Sequence, residues 1–314
     1  MRILITGATG FAGRHLSRLA LSKKSTSVYG LVRRVSDRPV AGVKPVRADL
    51  LSKKSMLAVF RKVRPDRVYH LAGQASVARS WQDKKMTFGV NVGGTRALLE
   101  AARLSESKAR ILICGSADEY GASGLKHRRL KENAPLKPLS PYGVSKVAQD
   151  LLGLYYFSAH GLAVVRTRAF NHIGPGQAAH FAVPSFARQI ADIACGVQKP
   201  QIKVGNLEAV RDFTDVRDVV RAYWLALEKG KAGEVYNVCS GRPRRVADVL
   251  QFYLRASSVK IKVLHDPSRM RASDVPRLAG DPGRLERATG WKPRIRFETT
   301  LLDVLKDIKG KKND

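Results

Sequence analysis

The sequence predicts an α/β fold, a doubly wound parallel sheet of Rossmann type with a smaller loop-rich C-terminal region for substrate. Three observations predict it: short β-rich apolar runs alternate with longer amphipathic stretches, the first run ends in a glycine turn at residue 7, and the punctuation changes after Phe170. Parallel strands need crossovers, and helices make compact ones that cover both faces, so this alternation calls for a sheet buried on both sides.

The elements follow in order. RILIT (2–6) reads as a strand that runs into GATGFAG and then a helix from about Ala12 to Leu21. VYGLV (28–32), RVYHLA (67–72), ARILICG (109–115) and LAVVRTRAF (162–170) are further strands. VNVGGTRALLEAARL (90–104) and PYGVSKVAQDLLGLYYFSA (141–159) carry helical patterns. Beyond Phe170 comes the polar loop NHIGPGQAAH, and Pro184, Pro200, Pro243, Pro267, Pro276, Pro282 and Pro293 cut the rest into short pieces. The expected division is a cofactor domain over 1–170, rejoined by about 212–240, and a substrate region over 171–211 and 241–314.

Composition removes several function classes. Hydrophobic residues are 44% of the 314, and no apolar run approaches the roughly 18 residues a membrane span needs. MRILITGATG enters a strand directly, without the basic, apolar and small-residue succession of a signal peptide, so a cytoplasmic location is expected. Cys114, Cys195 and Cys239 are scattered, without CxxC pairs or histidine clusters; reduced thiols are expected, with no metal site. The net charge of +31 suits a polyanion, either nucleic acid or a small ligand carrying several phosphates, and equally a basic solvated surface. The basic pairs, such as Lys23-Lys24, Lys84-Lys85 and Arg244-Arg245, are spread along the chain without aromatic interleaving, so dedicated nucleic-acid binding is not expected.

The first chemical motif is GATGFAG, with Gly7, Gly10 and Gly13 and, between them, Thr9 and Phe11. After a strand and before a helix, such glycines permit a tight turn, approach of a pyrophosphate to backbone N–H groups, and close helix–strand packing. About twenty residues on, where an NAD site places a carboxylate for the ribose 2′-hydroxyl, stand Arg33 and Arg34, which suit a 2′-phosphate. NADP(H) is therefore the favoured cofactor, with NAD(H) as the alternative because Asp37 follows. Asp49 and Leu50 would contact the adenine, and Leu71, Ala72 and Gly73 would line the pyrophosphate and nicotinamide ribose.

The second motif is YGVSK, which sets Tyr142 and Lys146 one helical turn apart on one face. A phenol of ordinary pKa about 10 is a poor acid–base group near neutrality, and a neighbouring ammonium is expected to lower it. Lys146 can also hold a cofactor ribose. Ser116, ending the preceding strand, would hydrogen-bond the reacting oxygen. Asn91 either supports a proton relay or is a buried helix asparagine.

GATGFAG, NVGGT, Ser116 and YGVSK, in this order, resemble the extended short-chain dehydrogenase/reductases that act on nucleotide sugars, over essentially the whole chain. FNHIGPGQ (170–177), VPSFARQIA (183–191), VGNLEAVRDFTDVRDVVRAY (204–223), EVYNVCSG (234–241) and DPSRMRASDV (266–275) narrow the resemblance to the GDP-sugar branch. That branch contains GDP-mannose 4,6-dehydratases and GDP-4-keto-6-deoxy-D-mannose reductases, and the likeness is nearer the reductases. It implies an oxidoreductase that reduces the sugar C4 ketone to GDP-D-rhamnose or its C4 epimer GDP-6-deoxy-D-talose, with the dehydratase as the alternative activity. A non-catalytic Rossmann protein that binds NADP or RNA is a third possibility, against which the complete Ser116, Tyr142 and Lys146 set stands.

The turn GSADEYG (115–121) bears on the choice. Where the dehydratases carry an acid–base glutamate this chain has Asp118, a methylene shorter, and a displacement of about 1 Å can cost a catalytic group about a hundredfold. Asp118 could instead orient a water or cap the turn; Glu119 and Tyr120 read as structural. The resemblance further implies that Arg211, the Arg271/Asp274 pair and Val183 meet the nucleotide, that Asn171 meets the sugar, and that His172 lies near the nicotinamide or makes only backbone contacts. A lysine usual in the dehydratases is missing around Phe186 to Gln189. Pairing of two long helices, about 84–104 and 141–159, implies a homodimer.

Overall fold

The computed structural model describes residues 1–34, 36–270 and 275–313 of the chain. Its main sheet has seven strands: β1 (Arg2–Thr6), β2 (Ser27–Val32), β3 (Lys44–Arg47), β4 (Arg67–His70), β5 (Arg110–Ser116), β6 (Val164–Ala169) and β10 (Val235–Val238). They lie in the order β3-β2-β1-β4-β5-β6-β10, every neighbouring pair parallel. Order reverses between β1 and β4, and the crevice past their carboxyl ends is where such sheets take a ligand.

Helices α1 (Phe11–Leu21) and α8 (Val216–Lys229) cover one face, burying Leu16, Val219 and Tyr223 against Ile3, Ile5 and Leu112. On the other face α2 (Lys53–Val63), α5 (Gly94–Leu104) and α6 (Pro141–His160) bury Met56, Phe60, Leu98 and Tyr156 against Leu4, Val68 and Ile111. Both faces are covered, which accounts for strands that read as continuous apolar runs rather than alternating ones. Between β4 and α5 run α3 (Val77–Gln82), α4 (Lys84–Phe88) and one π-helical turn, Gly89–Gly93. The helix expected over about 84–104 is thus widened in its middle, and the bulge falls on Asn91, where no side chain at Gly89, Gly93 or Gly94 resists it.

The chain leaves the main sheet at Phe170 and enters a second one at Asn171. That sheet joins β7 (Asn171–Ile173), β9 (Val210–Asp215), β11 (Pro243–Arg245) and β13 (Arg277–Leu278). Its separate core is filled by Phe186 and Ile190 of α7 (Ala182–Ala194), Val204 of β8 (Gln201–Val204), Tyr253 of α9 (Val246–Arg255), and Leu301 and Val304 of α11 (Phe297–Asn313). β8 pairs with β12 (Lys262–His265), and α10 (Gly283–Thr289) packs back beside α8 through Leu285. β9 continues through Asp215, and α8 follows directly from Val216 and packs on the main sheet. No described helix is long and apolar enough to cross a membrane.

Candidate active site

The glycine loop sits at the reversal point. Gly7 has φ +72°, and a Cβ there would lie 2.8 Å from the Ala72 nitrogen; a Cβ on Gly13 would collide with the Gly7 carbonyl. Only glycine allows β1, α1 and the segment after β4 to approach this closely. Gly10 caps α1 without a side-chain hydrogen bond, so the first N–H groups of the helix remain available to an anion.

At the end of β2 the Asp37 carboxylate accepts from the backbone N–H groups of Arg33 (3.1 Å) and Arg34 (2.8 Å). Asp37 therefore closes the turn, and both arginines are exposed there. Past β3, the Asp49 carboxylate accepts from the Leu51 N–H (3.0 Å), while Leu50 packs on Gly94. These positions fit a dinucleotide with a phosphorylated ribose: an uncapped helix start at a cradle that side chains would fill, and exposed guanidinium groups where the adenosine ribose belongs.

Leu71, Ala72 and Gly73 carry the crevice across to α6. The Ala72 N–H donates to the Thr6 hydroxyl (3.2 Å), and a Cβ on Gly73 would lie 3.0 Å from Asn91 Oδ1 and 3.8 Å from Lys146 Nζ. The motifs GATGFAG and YGVSK thus converge through one short segment. Asn91 is fully committed there: its Oδ1 accepts from the Gln74 N–H (2.8 Å) and its Nδ2 donates to the Gln74 carbonyl (3.2 Å) and the Ser145 hydroxyl (2.9 Å). It ties this segment to α6.

Ser140 caps α6 with its hydroxyl and Pro141 takes the first turn, where a missing N–H costs nothing. Tyr142 and Lys146 follow on the buried side, 7% exposed each, and the Tyr142 hydroxyl meets that of Ser116, itself 6% exposed. The Ser116 hydroxyl donates to the Asp118 carboxylate (3.0 Å), and the Ser116 N–H donates to Glu119 Oε1 (2.7 Å). Asp118 therefore acts on Ser116. Glu119 is wholly buried, 3.0 Å from the Arg168 guanidinium, and Tyr120 donates to Asn237 Oδ1 (2.7 Å); both support the turn from beneath. Burial pushes the Glu119 carboxyl up to about 8, with Asp150 adding to the shift and Arg168 opposing it.

The expected lowering of the Tyr142 phenol is not found. Burial pushes it up, the Asp118 carboxylate adds to this, and a hydrogen bond with Ser116 opposes both. Lys146 does not counteract them because its ammonium is directed to the Cys114 carbonyl (2.7 Å) and Gln149 Oε1 (2.6 Å), and burial lowers its own pKa.

The remaining sequence-derived positions are placed unequally. The His172 ring stacks on Phe11 with centroids 5.8 Å apart, beside the glycine loop, and its Nδ1 pairs with the Phe170 carbonyl (3.3 Å). Asn171 is exposed at the junction of the two sheets. The Val183 side chain is buried in the second core, in the first turn of α7. Arg211 is buried on β9 with Nη1 donating to the Val210 carbonyl (2.9 Å). Gln189 fastens α7 to β8 through Lys203, which leaves it no role toward a diphosphate. Arg271 and Asp274 lie outside the described residues. Among those residues no cluster of potential metal ligands occurs. Sequence reading passed over Gln149, Thr95 and His70; only Gln149, one turn beyond Lys146, carries a local signal.

Comparison with known families matches residues 4–304 to GDP-mannose 4,6 dehydratase. The chain belongs to the GDP-mannose 4,6-dehydratase family. Within it, the chain is 36% identical over 306 residues to the GDP-6-deoxy-D-mannose reductase of Pseudomonas aeruginosa, covering 98% of this chain and 96% of that protein. The solved structure of RMD from Pseudomonas aeruginosa complexed with NADPH superposes with a TM-score of 0.88 at 34% identity over 99% of both chains. UDP-glucose 4-epimerase from Thermus thermophilus in complex with NAD matches with a TM-score of 0.88 at 29% identity, again over 99% of both. The family's chemistry is that of extended short-chain oxidoreductases using NAD(P), and this chain is one of them.

Proposed function

We propose that the protein reduces the C4 ketone of a GDP-4-keto-6-deoxyhexose, GDP-4-keto-6-deoxy-D-mannose, to GDP-D-rhamnose or its C4 epimer, with NADPH as the preferred cofactor. The observation that carries this reading is the convergence of Ser116, Tyr142 and Lys146 at a crevice joined to the glycine loop through Leu71–Gly73. The likeness to the Pseudomonas aeruginosa reductase supports the substrate class.

When bound, NADPH supplies a hydride to the carbonyl carbon. Gly7 to Gly13 and the start of α1 would hold its pyrophosphate, and Arg33 and Arg34 its 2′-phosphate. The Ser116 hydroxyl turns from Asp118 to donate to the ketone oxygen, drawing charge toward it. As negative charge develops on that oxygen, Tyr142 transfers its proton to it as general acid. Lys146, with two of its donors on the Cys114 carbonyl and Gln149, would hold the ribose with the third. Asn171, Arg211, the Val183 backbone and the Arg271/Asp274 pair complete the sugar-nucleotide site.

Dehydration would require in addition a carboxylate that reaches the C5 proton, and where the dehydratases carry a glutamate this chain has Asp118, shorter by one methylene. Supplying the 4-keto-sugar nucleotide with NADPH should give loss of absorbance at the reduced-nicotinamide band, whereas GDP-mannose alone should yield no 4-keto product; the reverse pattern would establish the dehydratase.

Phe88 of α4 and Val144, Leu151 and Tyr155 along one stripe of α6 are exposed apolar residues on helices that pack together. They support a homodimer through this face, detectable by sedimentation equilibrium. A cytoplasmic location completes the proposal, to be checked by cell fractionation.

A further inference from the structure

A buried chain of polar groups runs from the lysine of YGVSK to the segment after β4, and its hydrogen bonds have only one consistent direction. Lys146 Nζ donates to Gln149 Oε1 (2.6 Å), which fixes the amide so that Gln149 Nε2 donates to Thr95 Oγ1 (2.8 Å). The Thr95 hydroxyl proton is spent on the Asn91 carbonyl (2.6 Å), so Thr95 can only accept from His70 Nε2 at 2.9 Å. His70 then carries its proton on Nε2, and its Nδ1 accepts from the Thr6 hydroxyl (2.8 Å), which accepts from the Ala72 N–H (3.2 Å). His70, Thr95 and Gln149 are wholly buried, on β4, α5 and α6. Reversing any one bond would leave a buried donor facing a donor, at a cost of about 1–3 kcal/mol for an unsatisfied group in other proteins.

We propose that Gln149 is a positioning residue that aims the Lys146 ammonium at the crevice, with Thr95 and His70 anchoring its amide to the cofactor-binding segment Leu71–Gly73. This rests on the reductase reading in that Lys146 there holds the cofactor ribose. Two of the three ammonium donors, toward Cys114 and Gln149, are set by the fold, so the third is delivered in a fixed direction. An arginine or a freely rotating lysine would not be so constrained. Rotation about Cε–Nζ costs little by itself, so two partners are needed to fix it. Thr6 and Ala72 at the far end belong to the strand and segment that frame the glycine loop, and a shift there is passed to Lys146 through rigid, fully paired groups.

The test combines turnover with a readout of the ammonium itself. Charged and titratable groups facing Lys146 are Cys114 from β5, Glu119 from the turn after it, and His70 from β4. Gln149→Met keeps the volume and removes the acceptor; Gln149→Glu keeps an acceptor and adds a negative charge. Lys146 is titrated by NMR in lysine-labelled protein, its resonance assigned by disappearance in Lys146→Arg. With the acceptor lost, the ammonium is less stabilised, so in Gln149→Met the midpoint and the alkaline limb of kcat should move down by about one pH unit. In Gln149→Glu both should move up. The Met variant should also lose on the order of tenfold to a hundredfold in kcat with the sugar-nucleotide KM nearly unchanged, and the Glu variant should recover most of that loss at neutral pH.

Midpoints that stay fixed, or that move the same way in both variants, would overturn the proposal and leave Gln149 a packing residue. Should Gln149→Met fail to fold, Gln149→Glu and Thr95→Val, which removes the anchor without touching Lys146, decide it by the same titration. A wild-type protein that does not reduce the keto-sugar would sink the reductase reading, while the titration would still decide the role of Gln149.

Discussion

Tyr142 has its phenol raised by burial and by Asp118, and lowered only by the hydrogen bond with Ser116. In the proposed reaction the phenol delivers its proton to the oxygen of the ketone as that oxygen gains negative charge. Tyr142→Phe removes the proton and little volume; turnover should fall by about a hundredfold to ten-thousandfold, the range general acids contribute, while NADPH affinity measured by fluorescence titration is retained. An active Phe variant would mean that another group protonates the sugar. Arg33 and Arg34 make a separate prediction. In the proposed binding mode their guanidinium groups hold the 2′-phosphate, and Asp37 is already engaged with the backbone, so changing both to alanine should weaken NADPH binding at least tenfold while leaving NADH binding within a few-fold. Equal losses for the two cofactors would assign the arginines to the surface.

At the scale of elements, the motifs legible in the sequence were those whose residues lie within one strand–turn–helix. GATGFAG and YGVSK are of this kind, because glycine spacing and the i, i+4 face of a helix are local facts. What stayed hidden were contacts between elements far apart in the chain: His70 with Thr95, Thr95 with Gln149, and Glu119 with Arg168. No periodicity reports such pairs. The π-helical turn at Asn91 was hidden for a related reason, since the pattern over 90–104 reads as a uniform helix and the widening answers to Gln74 and Ser145 on neighbouring segments. The phenol's raised pKa was likewise illegible: spacing put Lys146 on the right face, but its direction is set by Cys114 and Gln149.

The β4–α5 junction carries its own pH dependence. Burial holds the His70 imidazole down to about 3, with the Lys146 charge acting in the same direction, so it stays neutral in the fold while the unfolded chain titrates near 6.5. Between these values the unfolded state binds the extra proton, and stability is lost as pH falls from about 6.5 toward about 3, by on the order of 5 kcal/mol in all. Urea denaturation at pH 7.5 and pH 5 should show this loss, and His70→Gln, which cannot be protonated, should flatten that part of the curve. An unchanged slope in the variant would show that other groups dominate acid unfolding.

Taken whole, the molecule puts its cofactor features at the reversal point of the seven-stranded sheet and its second sheet immediately beyond, so that Phe170 to Ile173 passes from one to the other beside the glycine loop. The chain as a whole carries a net charge of +31, a field that draws in a doubly charged sugar nucleotide and a cofactor carrying several phosphates. Both substrates must meet within it for the proposed reaction, and the hydrogen's destination reports whether they do. Incubating the 4-keto-6-deoxy GDP-sugar with NADPH deuterated at the nicotinamide C4 and reading the product by NMR tests this most directly. Deuterium at sugar C4, with none at C5 or C6, is the predicted result; a product without deuterium at C4, or a new keto-sugar formed from GDP-mannose, would contradict it.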